Sequence, residues 1–305
     1  MNSQIIKYIK NVVVLAFFVI TIPIVAVILI KPDAENNLNE WKVKRLRFES
    51  LSSPRILFVG DSNLAFGLDS RAVANSFHCN VQNAGLHAGI GLYYCLQEYD
   101  DLIRKDDVIV ICCTYQQYVR GYGESITLPV AVYYNDWNGL HKFNFSQWKV
   151  FLSGFMEIIR QHGLNLEDER TYRASYYNIY GDESKHWEFQ PLDSIPEMGF
   201  PNMPLNDNMI EYLFDKIEHW EECGAVVYFF PACITEKFFE KFKNQFMSIE
   251  KKLYEMHHPF VVPIDSCVYD DSFFYDGNYH LNKKGVDRFT NLIVNHLKKK
   301  RAYYE

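Results

Sequence analysis

Five short apolar runs punctuate the chain from residue 55 onward: Ile56–Val59, Cys79–Val81, Val108–Cys113, Ala225–Phe230 and Phe260–Ile264. Each is short for a helix and is bounded by polar or turn-forming residues, which predicts strands. Between them, apolar positions recur at three- and four-residue spacing over Ser70–Ser76, Gly91–Ile103, Asn208–Cys223, Glu236–Met256 and Gly285–Lys299, which predicts helices. Strands that alternate with helices need crossover connections, so the pattern predicts an α/β fold whose parallel sheet carries helices on both faces. Ligands of such sheets bind beyond the carboxyl ends of the strands. Ser62 follows the first run directly, Gly85 lies just past the second, and Tyr115 and Gln116 lie just past the third, so these residues are expected on one edge.

Two stretches break the alternation. Residues 12–30 carry no charge and are interrupted only by Thr21 and Pro23. At ~1.5 Å per residue such a run is about as long as the hydrocarbon core of a bilayer is thick. Lys7 and Lys10 precede it, Lys31-Pro32 ends it, and the bulky Ile28-Leu29-Ile30 offers no small-residue cleavage site. The expectation is an uncleaved signal anchor in the lipid bilayer, with residues 1–11 as a short tail and 31–54 as a stalk or first helix (Leu38, Trp41, Leu46 and Phe48 have helical spacing). Basic residues flank both ends, so the positive-inside rule leaves the orientation open. The second stretch, residues 119–206, is far longer than an ordinary connection. It holds Tyr133, Tyr134, Trp137, Trp148, Tyr172, Tyr176, Tyr177, Tyr180 and Trp187, a helical pattern over Ser146–Gln161, and four prolines from Pro191 to Pro204. It reads as an insertion in a domain spanning 55–305, either shaping a substrate groove or simply packing on the sheet.

Composition narrows the function classes. A formal charge of −7 argues against a nucleic-acid partner. The aromatic content of 16% is mostly expected in the core, although Tyr- and Trp-rich surfaces also suit polyhydroxylated ligands. Seven cysteines without framework spacing predict buried free thiols. No phosphate loop, redox motif or metal constellation is present, so no cofactor and no metal are expected.

The candidate chemistry lies in two segments far apart, Arg55–Leu64 and Tyr275–Gly285. Gly60-Asp61 breaks the first apolar run and delivers Ser62 onto a turn; the second segment offers Asp276 and His280. A serine hydroxyl needs a base to take its proton and an acid to orient that base. Each residue also has an ordinary reading. Ser62 or Asp61 suits a helix N-cap, His280 a helix-capping histidine, Asp276 and Gly85 turn residues, and His87 a structural histidine.

Together these residues resemble the SGNH (GDSL-like) hydrolase superfamily. Val59-Gly-Asp-Ser-Asn63 is similar to its first block and Gln82–Gly89 to its second, while Tyr275–Gly285 is similar to its last. The resemblance implies a three-layer α/β/α, flavodoxin-like domain. It implies Ser62 as nucleophile, His280 as base and Asp276 as orienter, with the Ser62 and Gly85 amides in the oxyanion hole. Two departures stand out. Tyr115 occupies the position of the family's third-block asparagine with Gln116 beside it, so the Gln116 amide or the Tyr115 hydroxyl is the substitute donor, and Asp276 and His280 are one residue further apart than usual. The chain is most similar to membrane-anchored members that modify bacterial cell-envelope polymers, the teichoic-acid D-alanyl-transfer group among them. That likeness implies an extracytoplasmic serine esterase or O-acyltransferase acting on an acylated glycan or envelope polymer. A membrane-bound O-acyltransferase is the implied partner. The alternative is an inactive scaffold that binds a glycan or such an acyltransferase.

Overall fold

Gly60 shows why the chain must be built as it is at its centre. A Cβ there would stand 1.9 Å from the backbone oxygen of Cys112, so only glycine lets the first strand run this close to its neighbour. That strand, β1 (Arg55–Gly60), is buried along its whole length and pairs in parallel with β2 (Asn80–Asn83) on one side and β3 (Val108–Cys112) on the other. β4 (Val226–Phe229) adds in parallel to β3, giving the order β2-β1-β3-β4. The chain therefore moves to one side of β1 for β2 and to the other for β3. The crevice for a ligand in an open parallel sheet opens at such a reversal. The structure, a computed structural model, describes residues 3–29, 34–120 and 173–301. Between these it describes 125, 127–128, 131–132, 141, 143, 145, 147–151 and 153–154.

The helices follow the apolar spacing. They are α1 (Ser3–Leu29), α2 (Glu40–Ser50), α3 (Ser62–Gly67), α4 (Ser70–Phe77), α5 (Leu92–Tyr99), α6 (Asp207–Glu222), α7 (Glu236–Lys241), α8 (Lys243–Glu255) and α9 (Lys283–Arg301). The core runs through β1 and β3 into Leu96, Leu213, Ile217, Trp220, Phe246 and Ile293. Two expectations change. The region expected as one helix over Glu236–Met256 is two, because Phe242 (φ −124°, ψ 25°) leaves helical geometry and serves as C-cap of α7 and N-cap of α8. The strand expected over Phe260–Ile264 shrinks to a single parallel bridge from Phe260 to Phe229. Pro263 has no N–H to offer a ladder, and a 3-10 turn begins at Ile264. A two-residue ladder, β5 (Ile234–Thr235) with β6 (Val268–Tyr269), stands beyond it.

Of the two expectations for residues 31–54, a stalk or a first helix, the described part fits the second: α2 is built into the domain. Phe48 is fully buried, and Arg55, also fully buried, donates to the Phe48 carbonyl at 2.8 Å while forking onto Asp107 at 2.7 and 2.8 Å. Removing one partner of such a buried pair typically costs ~3–5 kcal/mol, so α2, β1 and the start of β3 are fastened together. No helix among the described residues is long and apolar enough to cross a membrane. The side chains of residues 20, 23, 24 and 26–28, within the apolar run, lie outside the described set, as do residues 30–33.

Of the long insertion, Tyr133, Tyr134, Trp137, Tyr172 and most of the helix expected over Ser146–Gln161 lie outside the described residues. Its second half is anchored to the sheet. Asn83 N–H donates to the Tyr180 carbonyl at 2.8 Å, and Glu183 N–H to the Ala65 carbonyl at 2.8 Å. The buried Asp182 carboxylate accepts from Ser70 Oγ at 2.6 Å and Asn83 Nδ2 at 2.9 Å. All seven cysteines are free; Cys112 and Cys113 are buried as expected, but Cys223 is exposed where α6 ends.

Candidate functional site

The turn that carries Ser62 is held by Asp61. Its carboxylate caps α3 through the Asn63 N–H, and its second oxygen accepts from Thr114 N–H, from Thr114 Oγ1 at 2.6 Å and from Gln117 Nε2 at 3.0 Å. Burial raises the Asp61 carboxyl above its usual range, and the bonds from Thr114 and Gln117 pull against that shift. The N-cap thus belongs to Asp61, and Ser62 becomes the first residue of the helix with its hydroxyl free for other work. No described group accepts from the Ser62 N–H, one of the donors a helix leaves open in its first turn.

The other two residues come from a hairpin-like turn before α9. Phe274 bridges Leu281, and Tyr275 N–H donates to the His280 carbonyl at 2.8 Å, so residues 276–279 form the turn and its ends face each other. The additional residue between Asp276 and His280 is absorbed there. Asp276 Oδ1 lies 2.7 Å from His280 Nδ1, and His280 Nε2 lies 2.9 Å from Ser62 Oγ. A carboxylate, an imidazole and a hydroxyl therefore stand in hydrogen-bonded series, the arrangement in which a base removes a serine proton. The Phe66 ring, one turn after Ser62, stacks on His280 with centroids 4.3 Å apart and planes 13° apart. Such a contact contributes ~0.5–1.5 kcal/mol beyond burial and fixes the imidazole plane.

The series opens onto a cavity of about 320 Å³ walled by Ser62, Gln116, Arg120, Met198, Asn278 and His280 among others. Gln116 is oriented by Tyr279, whose hydroxyl donates to Gln116 Oε1 at 2.7 Å. This leaves the amide nitrogen to the cavity side, with a weak contact to Met198 Sδ at 3.5 Å. Tyr115, the alternative donor at that position, is fully buried and its hydroxyl donates to the Ala232 carbonyl at 3.0 Å, so it belongs to the core.

Gly85 departs from expectation. Its N–H donates to Asn83 Oδ1 at 2.9 Å, and it does not line the cavity. Its carbonyl accepts from the buried Lys44 of α2, which also reaches the Gly181 carbonyl at 2.8 Å. A Cβ at Gly85 would stand 2.6 Å from both the Asp61 carbonyl oxygen and Leu64 Cβ. The glycine is required for close packing under the serine turn, and in this geometry its amide is committed elsewhere. Burial pushes the Lys44 ammonium down to about 8 against the nearby Glu40, Asp182 and Glu183. His87, half-buried beside the site, accepts from Gly89 N–H through Nδ1 at 3.0 Å; burial first, and then the proximity of His280, push it down to about 4.

Sequence reasoning missed Phe66, Tyr279, Asn278 and Arg120. Phe66 carried a signal, the i+4 spacing from Ser62 on one helix face. Tyr279 carried another in its place inside the turn between the two titratable residues. Among the described residues no group of three or more His, Cys, Asp or Glu is placed to hold a metal ion. No protein-family model matches the chain, and no curated protein matches it either.

Proposed function

We propose that the chain is a serine-dependent esterase or acyltransferase of the SGNH type, acting on an acyl ester of a glycan or other polyhydroxylated polymer. The observation that carries this reading is the unbroken series Asp276–His280–Ser62 at 2.7 and 2.9 Å beside an open cavity. In the proposed reaction Ser62 Oγ attacks the ester carbonyl and His280 Nε2 takes the hydroxyl proton. The Ser62 N–H and the Gln116 amide nitrogen receive the charge that develops on the carbonyl oxygen. Collapse breaks the bond to the alcohol, which leaves with the proton returned by His280, and an acyl-serine remains. Water or a sugar hydroxyl then attacks that ester, giving up its proton to His280; collapse breaks the bond to Ser62 Oγ, which takes the proton back from His280, and the free acid or the acylated sugar leaves. Asp276 keeps the imidazole in the tautomer that can accept at Nε2 and stabilises the transient imidazolium.

The test is hydrolysis of an activated acetyl ester by the purified chain. The reading expects turnover that disappears in both Ser62→Ala and His280→Ala while each variant melts with the parent. Turnover that survives both substitutions overturns it.

A second reading, a non-catalytic scaffold that binds a glycan or a membrane acyltransferase, draws on Gly85. With its amide bonded to Asn83 Oδ1, the oxyanion site keeps fewer donors than the family pattern implies. Absence of turnover together with retained binding of an acetylated oligosaccharide favours that reading.

The membrane anchor remains part of the proposal. It is supported by the uncharged run of residues 12–30 and by the large exposure of its described side chains, Leu15 at 65% and Phe17 at 60%. The outward orientation rests on the resemblance alone. The exposed Cys223 provides its test: an impermeant maleimide should label Cys223 on intact cells, and labelling only after lysis contradicts the outward placement.

A further inference from the structure

Arg120 is a wall residue of the cavity that holds Ser62 and His280. It follows the 3-10 turn Tyr115–Tyr118 that presents Gln116, and its backbone is fixed at both ends. Its N–H donates to the Gln116 carbonyl at 3.0 Å, and its carbonyl accepts from Asn206 Nδ2 at 3.2 Å. The side chain is exposed and has neither a hydrogen-bond nor an ion-pair partner among the described residues. Arg71 on α4 and Arg288 on α9 likewise make no such bond among the described residues, but neither lines the cavity. Arg45, Arg47, Arg55 and Arg173 are each committed to a carboxylate, a carbonyl or a side-chain amide. Among the described residues no Asp or Glu lines the cavity, and Asp276 is engaged behind His280. The chain is −7 overall, so a lone guanidinium at the active cavity is a local inversion of the sign of charge. Its five donors in a planar fork match carboxylate and phosphate oxygens.

We infer that Arg120 is a specificity-determining residue that pairs with an anionic group, a carboxylate or a phosphate, on the substrate of this site. The inference rests on the esterase reading and adds the charge class of the substrate. The neutral wall formed by Gln116, Asn278 and Met198 handles the uncharged part of the ligand; the anion sits at the Arg120 side, near the scissile bond.

Two measurements on the whole chain separate this inference from the reading beneath it. The first compares kcat/KM for 4-nitrophenyl acetate and its hemisuccinate counterpart, which carries a free carboxylate. The parent is expected to favour the hemisuccinate. Arg120→Ala should lower the ratio of the two values about tenfold to a hundredfold, as for a charge-assisted pair. Arg120→Lys should recover part of the ratio, and Arg120→Glu should invert it. Equal ratios across the four proteins overturn the inference. The second measures binding of monomethyl succinate and of phenyl phosphate to Ser62→Ala by ligand-detected NMR, with and without Arg120→Ala added. Binding lost on removal of the guanidinium supports the inference even where no ester is turned over, and that same absence of turnover sinks the esterase reading alone. The anion that binds identifies the source as carboxylate or phosphate. No binding of either anion, or binding indifferent to Arg120, overturns the inference. Because the side chain is exposed and unpartnered among the described residues, none of the three Arg120 substitutions threatens the fold.

Discussion

Two histidine–carboxylate pairs flank the ring of Phe66, and they differ in almost everything except composition. On one side His280, with Asp276 on Nδ1, points Nε2 at a hydroxyl and is open to a cavity. On the other, His186 lies 4.8 Å from the same ring, with Glu183 on Nδ1 and the Leu281 carbonyl on Nε2 at 2.8 Å; both of its side chains are fully buried. Both nitrogens of His186 are taken up by buried partners, so neither faces a hydroxyl or the cavity. Glu183 Oε1 has no partner among the described residues, a desolvation cost that the fold must offset elsewhere. What separates the two dyads is therefore what Nε2 meets: a hydroxyl at a cavity, which the proposed reading makes the nucleophile, or a carbonyl in the core. The buried pair also has a mechanical role, because it ties the insertion to Leu281, one residue after His280.

Substitutions should break this comparison along predictable lines. Ser62→Ala or His280→Ala is expected to lower kcat by about 10⁴–10⁶ with little change in melting temperature. His186→Ala should do the reverse, lowering stability by ~3–5 kcal/mol while each folded molecule retains turnover of the parent order. Denaturant melts and titrated active-site concentrations check both. Asp276→Asn presents the wrong tautomer to Ser62 and should cost about 10⁴ in kcat, measured by steady-state kinetics. Next in size is the proposed oxyanion donor. Gln116→Ala should lower kcat about 10²–10³-fold, with Tyr279→Phe showing a smaller loss in the same direction because the amide stays but loses its orienting bond.

The smallest effect concerns His87, and it is seen in stability. Folding lowers this imidazole from 6.5 to about 4, so the unfolded chain takes up the proton first on acidification. The native state is unaffected above pH about 6.5 and loses stability as the pH falls from there toward 4. His87→Asn, which keeps an acceptor for the Gly89 N–H, should flatten that part of the curve; an unchanged pH profile of denaturant midpoints contradicts the assignment.

The same contrast explains what was legible in the amino-acid order. β1 and β3 read clearly because fully buried parallel strands are continuous apolar runs ended by a turn glycine or polar group. Ser62, Asp276 and His280 stood out as candidates because the first opens α3 and the other two lie in the turn before α9, where a side chain has few structural duties. The break at Phe242 did not show, since the apolar spacing of Phe238, Phe239 and Phe246 runs through it without interruption. The strand over Phe260–Ile264 failed because one proline outweighs four apolar neighbours in a hydrogen-bond ladder. Gly85 was legible as a required glycine but not as a packed one: its close approach to Asp61 and its bond to Asn83 are tertiary facts. The docking of α2 through Lys44 and Arg55 lies equally beyond local pattern, because buried cations read as surface ones until their carbonyl and carboxylate partners are placed.

The central claim is that Ser62 is chemically distinct from every other hydroxyl of the chain because His280 stands over it. Treatment of the folded chain with a fluorophosphonate, followed by mass spectrometry of the intact protein and its peptides, tests this directly. A single phosphonyl adduct on the Ser62 peptide, abolished by His280→Ala but retained by an Arg120→Ala protein, is the predicted result. A folded chain that takes up no adduct, or takes it up equally after Ser62→Ala, contradicts the account.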